Sequence, residues 1–226
     1  MSEGSAVRVG ILGGTLDPIH VGHLETARAA QRALGLTHIV VMPSRVPPHR
    51  TERPLASIFH RFAMAALAVS DIPNASVSDA ELEADGPSYT ASTLERVTAI
   101  GLDRSQVFFI TGADAFAEIE SWHRYPGVLD LAHFVVISRP GTPATVIPAR
   151  LPRLVGRYRQ PGRDGQNEGA PSIFLVDAPT PDVSSTGIRQ RLRTGGSISG
   201  MVTPLVENHI TRHGLYTETT TADRSR

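Results

Sequence analysis

The chain has 226 residues, with 22 basic and 22 acidic side chains and no formal net charge. That length holds one large domain or two small ones with a substantial core, and 40% hydrophobic against 19% charged residues excludes wholesale disorder. The neutral balance argues against a protein that coats nucleic acid, so no nucleic-acid partner is expected.

Two missing residue types restrict the chemistry further. There is no cysteine, hence no disulfide framework, thiolate metal site or thiol nucleophile. There is no lysine either, and all 22 basic residues are arginine. That removes the P-loop lysine and every Schiff-base mechanism. Phosphate chemistry must then rest on arginine, histidine, backbone N–H groups and metal ions. No apolar run reaches the roughly 18 residues a membrane helix needs. The short polar stretch Met1 to Ala6 does not read as a signal peptide. The expected location is the cytoplasm, without a membrane partner.

In chain order, the first apolar run is Val7 to Leu12, ending at Gly13-Gly14. A helical pattern from Gly22 to Leu34 stops at Gly35. A second run spans Ile39 to Met42, and Ser57 can cap a helix whose apolar face holds Ile58, Phe62, Ala66 and Val69. Thr90 to Ile100 reads as a helix before Gly101. Apolar runs follow at Val107 to Ile110, Phe134 to Ile137 and Ile173 to Val176, and a last helix runs from Pro204 to His213. The runs are short and continuous rather than alternating, as in strands covered on both faces. The pattern predicts a doubly wound α/β fold with a mainly parallel sheet and helices on both faces. Ligands of such folds bind beyond the carboxyl ends of the strands.

Residues 139–163 break the rhythm with six arginines, five prolines and no acidic residue. They can be a basic flap or a solvated insertion. The expectation is an insertion of loop composition over about 142–170 and a disordered polar tail over 217–226, within one domain spanning 1–226.

Chemistry concentrates in two motifs. The first strand opens into Gly13-Gly14-Thr15-Leu16-Asp17-Pro18-Ile19-His20-Val21-Gly22-His23. Paired glycines after a strand admit a ligand close to the backbone. His20 and His23 sit on one face at the start of a helix, where free N–H groups and the dipole attract anions. Gly22 keeps the approach open. Two ordinary surface histidines or a metal site are the alternatives, although two histidines without a third ligand are weak evidence for zinc. The second motif is Asp182-Val183-Ser184-Ser185-Thr186-Gly187-Ile188-Arg189. Its hydroxyls can cap the following helix, and Arg189 falls about one turn in, with planar donors suited to phosphate.

The first motif resembles the signature of nucleotidyltransferases with a His-x-Gly-His motif, and most closely that of nicotinate-nucleotide adenylyltransferases of NAD biosynthesis. Ser184 to Arg189 resembles the second hallmark of that family. The resemblance covers roughly Val7 to Tyr216 and implies a Rossmann-like nucleotidyltransferase fold. It also implies an enzyme that joins ATP, arriving with Mg²⁺, to nicotinate mononucleotide. No metal held by the protein itself is implied, and a homo-oligomer stays open. By this likeness His20, His23, Arg189 and Arg50 are catalytic. ATP falls to Gly13, Gly14, Thr15, Leu16, Gly22, Gly112, Asp114, Arg139, Ser185 and Thr186, with Arg139 near the adenosine. Nicotinate mononucleotide falls to Asp17, Ser88, Tyr89, Thr90 and Trp122. Several positions depart from the family pattern. Leu16 replaces a usual phenylalanine, Arg50 a usual lysine, and Ala84-Asp85 stands where arginine is frequent. His60-Arg61 also matches a family position and is read as helix surface.

Alternatives stay open at this point. The acceptor can be nicotinamide mononucleotide, alone or alongside the acid. Phosphopantetheine and sugar phosphates are disfavoured by Gly86 to Thr90 with Trp122. A synthetase-like reading fails on length and on the missing lysine. A non-catalytic nucleotide sensor is the reading from another class.

Overall fold

A computed structural model describes residues 7–47, 54–82, 85–162 and 170–217. Its strands are β1 (Val9–Gly14), β2 (His38–Pro43), β3 (Ala75–Val77), β4 (Val107–Gly112), β5 (His133–Ile137), β6 (Tyr158–Arg159) and β7 (Ile173–Val176). They form one sheet in the order β3-β2-β1-β4-β5-β7-β6, with every pairing parallel. The helices are α1 (Val21–Leu34), α2 (Ile58–Val69), α3 (Thr90–Ala99), α4 (Ala113–Phe116), α5 (Ile147–Arg150), α6 (Ser185–Arg193) and α7 (Pro204–Arg212).

The continuous apolar runs have the expected cause. Leu12, Val41, Ile110, Val135 and Ile137 face one side of the sheet and pack with residues of α1, α2, α6 and α7. Ile11, Met42, Phe109, Phe134 and Val136 face the other and pack with α3, α4 and α5. Alternate side chains of each strand thus enter two separate cores, and neither face can be polar. Chain order reverses between β1 and β4, which places the crevice of a doubly wound sheet at the carboxyl ends of those two strands.

Three expectations need correction. The buried face of α2 is Arg61, Met64, Ala65, Ala68 and Val69, not the stripe through Ile58, Phe62 and Ala66. Arg61 is not surface at all: it is 1% exposed. The arginine-rich segment also folds over its described part. Residues 144–157 form short helices, and Tyr158–Arg159 pairs with β7 as an edge strand. Ala144, Ile147, Leu151 and Leu154 are buried in the second core. The arginines lie between these apolar anchors, which hides the pattern in composition. Shortening residues 142–160 should therefore unfold the protein rather than spare it. Leu154→Ala should cost about 2–5 kcal/mol of stability, as buried leucine truncations do, read by chemical denaturation. The expected tail beyond Thr217 lies outside the described residues.

His133 lies at the start of β5, fully buried between Phe108 and Phe174, and its Nδ1 accepts from the Ser172 N–H at 3.0 Å. Burial, and then the Arg8 charge, lower its pKa to about 4. On the same side of the sheet α7 packs on α2 through His60, His209 and His213, with His60 Nδ1 and His209 Nε2 3.1 Å apart. Burial, then the neighbouring histidines, lower the His209 pKa.

Candidate active site

The turn after β1 is shaped by its own residues. Leu16 holds a left-handed backbone, φ 51°, and its side chain is 2% exposed in the first core. Only its backbone can serve ATP, so the leucine in place of phenylalanine fills the core and makes no stacking contact with ligand. Asp17 is 1% exposed and does not face the cavity described below. Its carboxylate accepts from the Leu55 and Ala56 N–H groups at 2.9 and 3.1 Å and from the Tyr216 hydroxyl at 2.7 Å. The expectation that Asp17 grips the mononucleotide is corrected: it ties three distant segments together. Burial, and then the Asp17 charge, raise the Tyr216 pKa well above the usual phenol range.

His20 is the N-cap of α1 and 3% exposed. Its ring lies 3.8 Å from that of His23, centroid to centroid. The His20 N–H donates to His23 Nδ1 at 3.2 Å. A neutral His23 therefore carries its proton on Nε2, as a donor. Burial, and secondarily the Arg139 charge, lower the His20 pKa to about 4. His20 is thus neutral at pH 7, and its buried Nδ1 has no hydrogen-bond partner among the described residues. Arg139 leaves the end of β5 toward this pair. A Cβ on Gly22 would sit 3.0 Å from His20 Nδ1 and 3.4 Å from Arg139 Nη1. A Cβ on Gly112 would press on the Asp114 carboxylate and lie 2.9 Å from Arg139 Cγ. Gly22 and Gly112 therefore make room for the histidine and the arginine as well as for a ligand. Arg139 thus stands beside the histidine pair.

The second motif joins the first. Ser184 caps α6, accepting from the Gly187 N–H at 3.0 Å. Ser185 Oγ donates to the Pro18 carbonyl at 2.9 Å, and Arg189 Nη1 donates to the Asp17 carbonyl at 2.7 Å. Arg189 Nη2 donates to Thr186 Oγ1 at 3.2 Å. The N-termini of α1 and α6 thus converge. The Val21 and His23 N–H groups of α1 are used within the protein, by the Met201 and His20 carbonyls, and the Ser185 and Thr186 N–H groups lead α6.

A cavity of about 270 Å³ opens beside the clamp. Gly13, Gly14 and Thr15 form one wall, Ser88, Thr90 and Thr93 a second, Phe109, Thr111, Ala115 and Trp122 a third. Phe109 and Trp122 meet edge to face with centroids 6.1 Å apart, leaving an aromatic face for a flat ring. Of the backbone N–H groups of Ser88, Tyr89 and Thr90, which could receive a carboxylate, two are already used. Ser88 donates to the Val46 carbonyl at 2.8 Å and Tyr89 to the Pro87 carbonyl at 2.9 Å. The donors begin at Thr90, first residue of α3. The Ser88 hydroxyl accepts from the Arg45 and Val46 N–H groups at 2.9 and 3.3 Å. The Tyr89 ring stacks on His123 at 4.1 Å outside the cavity lining. Asp114 is exposed at the start of α4. Arg50 and Ala84 lie outside the described residues, and Asp85 is exposed.

Sequence reasoning missed Ser44, Glu81, Thr93 and Thr111, all in the cavity wall. Ser44 and Thr111 sit at strand ends, where the general rule for parallel sheets points. Glu81 is 2% exposed and accepts from Thr93 Oγ1 at 2.6 Å and from Arg96. No residue spacing marked it.

A Rossmann-like sheet with a histidine, arginine and helix-terminus clamp at its switch point defines a nucleotidyltransferase. The cytidylyltransferase-like family model matches residues 11–191, and the chain belongs to that family. Within it, the chain belongs with the nicotinate-nucleotide adenylyltransferases. It is 40% identical over 90% of its length, and 96% of the relative's, to a protein of Pectobacterium atrosepticum named "Probable nicotinate-nucleotide adenylyltransferase". A Chromohalobacter salexigens protein of the same name is 38% identical over 95% of this chain and 98% of the relative. In structure, the chain resembles the nicotinic acid mononucleotide adenylyltransferase of Plasmodium falciparum solved with NaAD. The TM-score is 0.71 at 19% identity, covering 93% of this chain and 97% of the other. The same protein complexed with APC gives 0.69 at 18% identity over the same shares. These likenesses show the fold. No helix among the described residues is long and apolar enough to cross a membrane.

Proposed function

We propose that the protein transfers the adenylyl group of ATP to nicotinate mononucleotide, giving nicotinate adenine dinucleotide and pyrophosphate in NAD biosynthesis. The observation that carries this reading is an aromatic-walled cavity, lined at the N-terminus of α3 by Ser88 and Thr90, that shares Gly13 to Thr15 with the turn leading to the clamp of His20, His23, Arg139 and Arg189. A phosphate oxygen of the mononucleotide attacks the α-phosphorus of ATP. The bond to the α,β-bridging oxygen breaks, and pyrophosphate leaves with that electron pair. Positioning and charge stabilisation suffice, without a covalent intermediate.

His20, as a neutral donor, faces the α-phosphate. His23 and Arg189 hold the departing pyrophosphate, with Arg139 beside them. Gly13 to Thr15 and the first N–H groups of α6 approach the phosphates, and Thr90 and Trp122 receive the pyridine. Among the described residues no group of three or more His, Asp or Glu could hold a metal ion. Mg²⁺ enters as part of the MgATP substrate, its shell filled by phosphate oxygens and water.

Pyrophosphate release from ATP with nicotinate mononucleotide, compared with nicotinamide mononucleotide, tests the reading; no release with either would leave a nucleotide sensor. Arg189 supplies a second check. Its fork spans the Asp17 carbonyl and Thr186, a geometry that a lysine point charge cannot reproduce. Arg189→Lys and Arg189→Ala should both slow the chemical step in single-turnover measurements. An unchanged step in Arg189→Ala would place the residue outside the phosphate site.

A further inference from the structure

The guanidinium of Arg61 lies beneath the site and is held by main-chain oxygens. Nη1 donates to the Thr15 carbonyl at 2.7 Å and to the Ser44 carbonyl at 2.6 Å. Nη2 donates to the Arg45 carbonyl at 3.3 Å, and Nε to the Ala56 carbonyl at 3.3 Å. These oxygens belong to three separate segments: the turn after β1, the exit from β2 and the approach to α2. Thr15 and Ser44 both line the cavity.

We propose that Arg61 is a positioning residue that sets the width of the mononucleotide cavity by clamping the loops after β1 and β2 to one rigid fork. The proposal rests on the adenylyltransferase reading for its kinetic consequences only. A buried cation must be solvated by the protein, and carbonyl groups aimed at a planar fork are fixed in direction as well as distance. The fork leaves α2, whose own place is set independently by Met64, Ala65 and Ala68 in the first core. The arrangement is thus an anchor in the core holding Thr15 and Ser44, which are themselves only partly buried. Asp17 reinforces it, since its carboxylate holds the N–H groups of Leu55 and Ala56 while Arg61 holds the Ala56 carbonyl. The clamp of His20, His23 and Arg139 lies on α1 and β5, outside this fork. Thr15 is also among the residues that approach the ATP phosphates, but ATP keeps the histidine pair, Arg139, Arg189 and the α6 N-terminus, whereas two walls of the mononucleotide cavity hang on the fork. Loosening it should disturb the mononucleotide more than ATP.

The test is Arg61→Lys, which keeps the charge and the aliphatic stem but cannot bridge three segments, with Arg61→Met as a second variant of similar volume. In Arg61→Lys, KM for nicotinate mononucleotide should rise about 10-fold or more, because misplacement by about an ångström carries costs up to roughly 100-fold. KM for ATP should stay within about 3-fold. Hydrogen exchange, which needs no substrate, should quicken at the amides of residues 14–16 and 44–46 while β1, β4 and β5 keep their protection. Unchanged exchange in both loops would overturn the proposal whatever the enzyme's acceptor is. So would a parallel rise in both KM values, or global loss of protection in both variants, which would make Arg61 a residue of the fold alone.

Discussion

His20→Ala and His23→Ala should each lower kcat by about 100-fold or more, the loss typical of a preorganised donor to developing charge. Affinity for ATP should change less, because these donors act mainly on charge that grows in the transition state. The structure gives the two residues different parts. His23 has its tautomer set by the His20 N–H on Nδ1, so its Nε2–H is a directed donor. His20 is kept neutral by burial and by Arg139, with a pKa of about 4. A polyphosphate seated between them supplies the missing negative charge, so ATP should raise the His20 pKa. Imidazole NMR titration of the free and ATP-bound protein would follow this. His20 also couples to stability. The unfolded chain takes up its proton near pH 6.5 and the folded one near 4. Its contribution is complete above pH 6.5 and disappears as the pH falls toward 4, a fall that His133 shares. Near-wild-type kcat in either alanine variant would remove the pair from the chemistry.

The parts of this molecule legible in its sequence are those that depend on local pattern. Five strands announce themselves because both faces are covered, leaving unbroken Val, Ile and Phe. The strands β3 and β6 have three and two residues, too few for any periodicity to register. The α2 face misleads for a physical reason. Arginine at position 61 normally marks a surface, yet here carbonyl oxygens from distant loops provide the solvation that water would give elsewhere. No local pattern encodes that. The arginine-rich segment misleads in the same way, since its four buried apolar residues are spaced among charges on short helices. Within the site, the two motifs were recognisable from residue type. Their union through Ser185 to Pro18 and Arg189 to Asp17 spans more than 160 residues and exists only in the folded chain. The Asp17 carboxylate is a related case: an acidic residue between two glycines and two histidines looks like a ligand contact, and its satisfaction by Leu55, Ala56 and Tyr216 comes from tertiary structure.

The choice between the acid and the amide mononucleotide should favour the acid by at least about 10–100-fold in kcat/KM, at about 1.4 kcal/mol per decade. The backbone of the α3 N-terminus presents donors only. The Ser88 and Tyr89 N–H groups are occupied, so the burden falls on the first turn beginning at Thr90. An amide would turn its own NH₂ toward at least one of these donors, and a buried unpaired donor costs about 1–3 kcal/mol. A hydrogen bond to an ionised carboxylate is also roughly twice as strong as a neutral one. Thr90→Pro isolates this effect. Proline is accepted at the first position of a helix, and Tyr89 already has the extended backbone that a following proline requires, φ −74° and ψ 133°. The variant thus deletes one donor with α3 in place, and should harm the acid more than the amide. Trp122→Ala should raise KM for both alike, because the indole meets the ring and not its substituent. Equal kcat/KM for the two mononucleotides in the unmodified protein would overturn the donor argument and make the enzyme dual in specificity. A selective loss for the acid in Thr90→Pro would instead assign the discrimination to one backbone N–H at the head of α3.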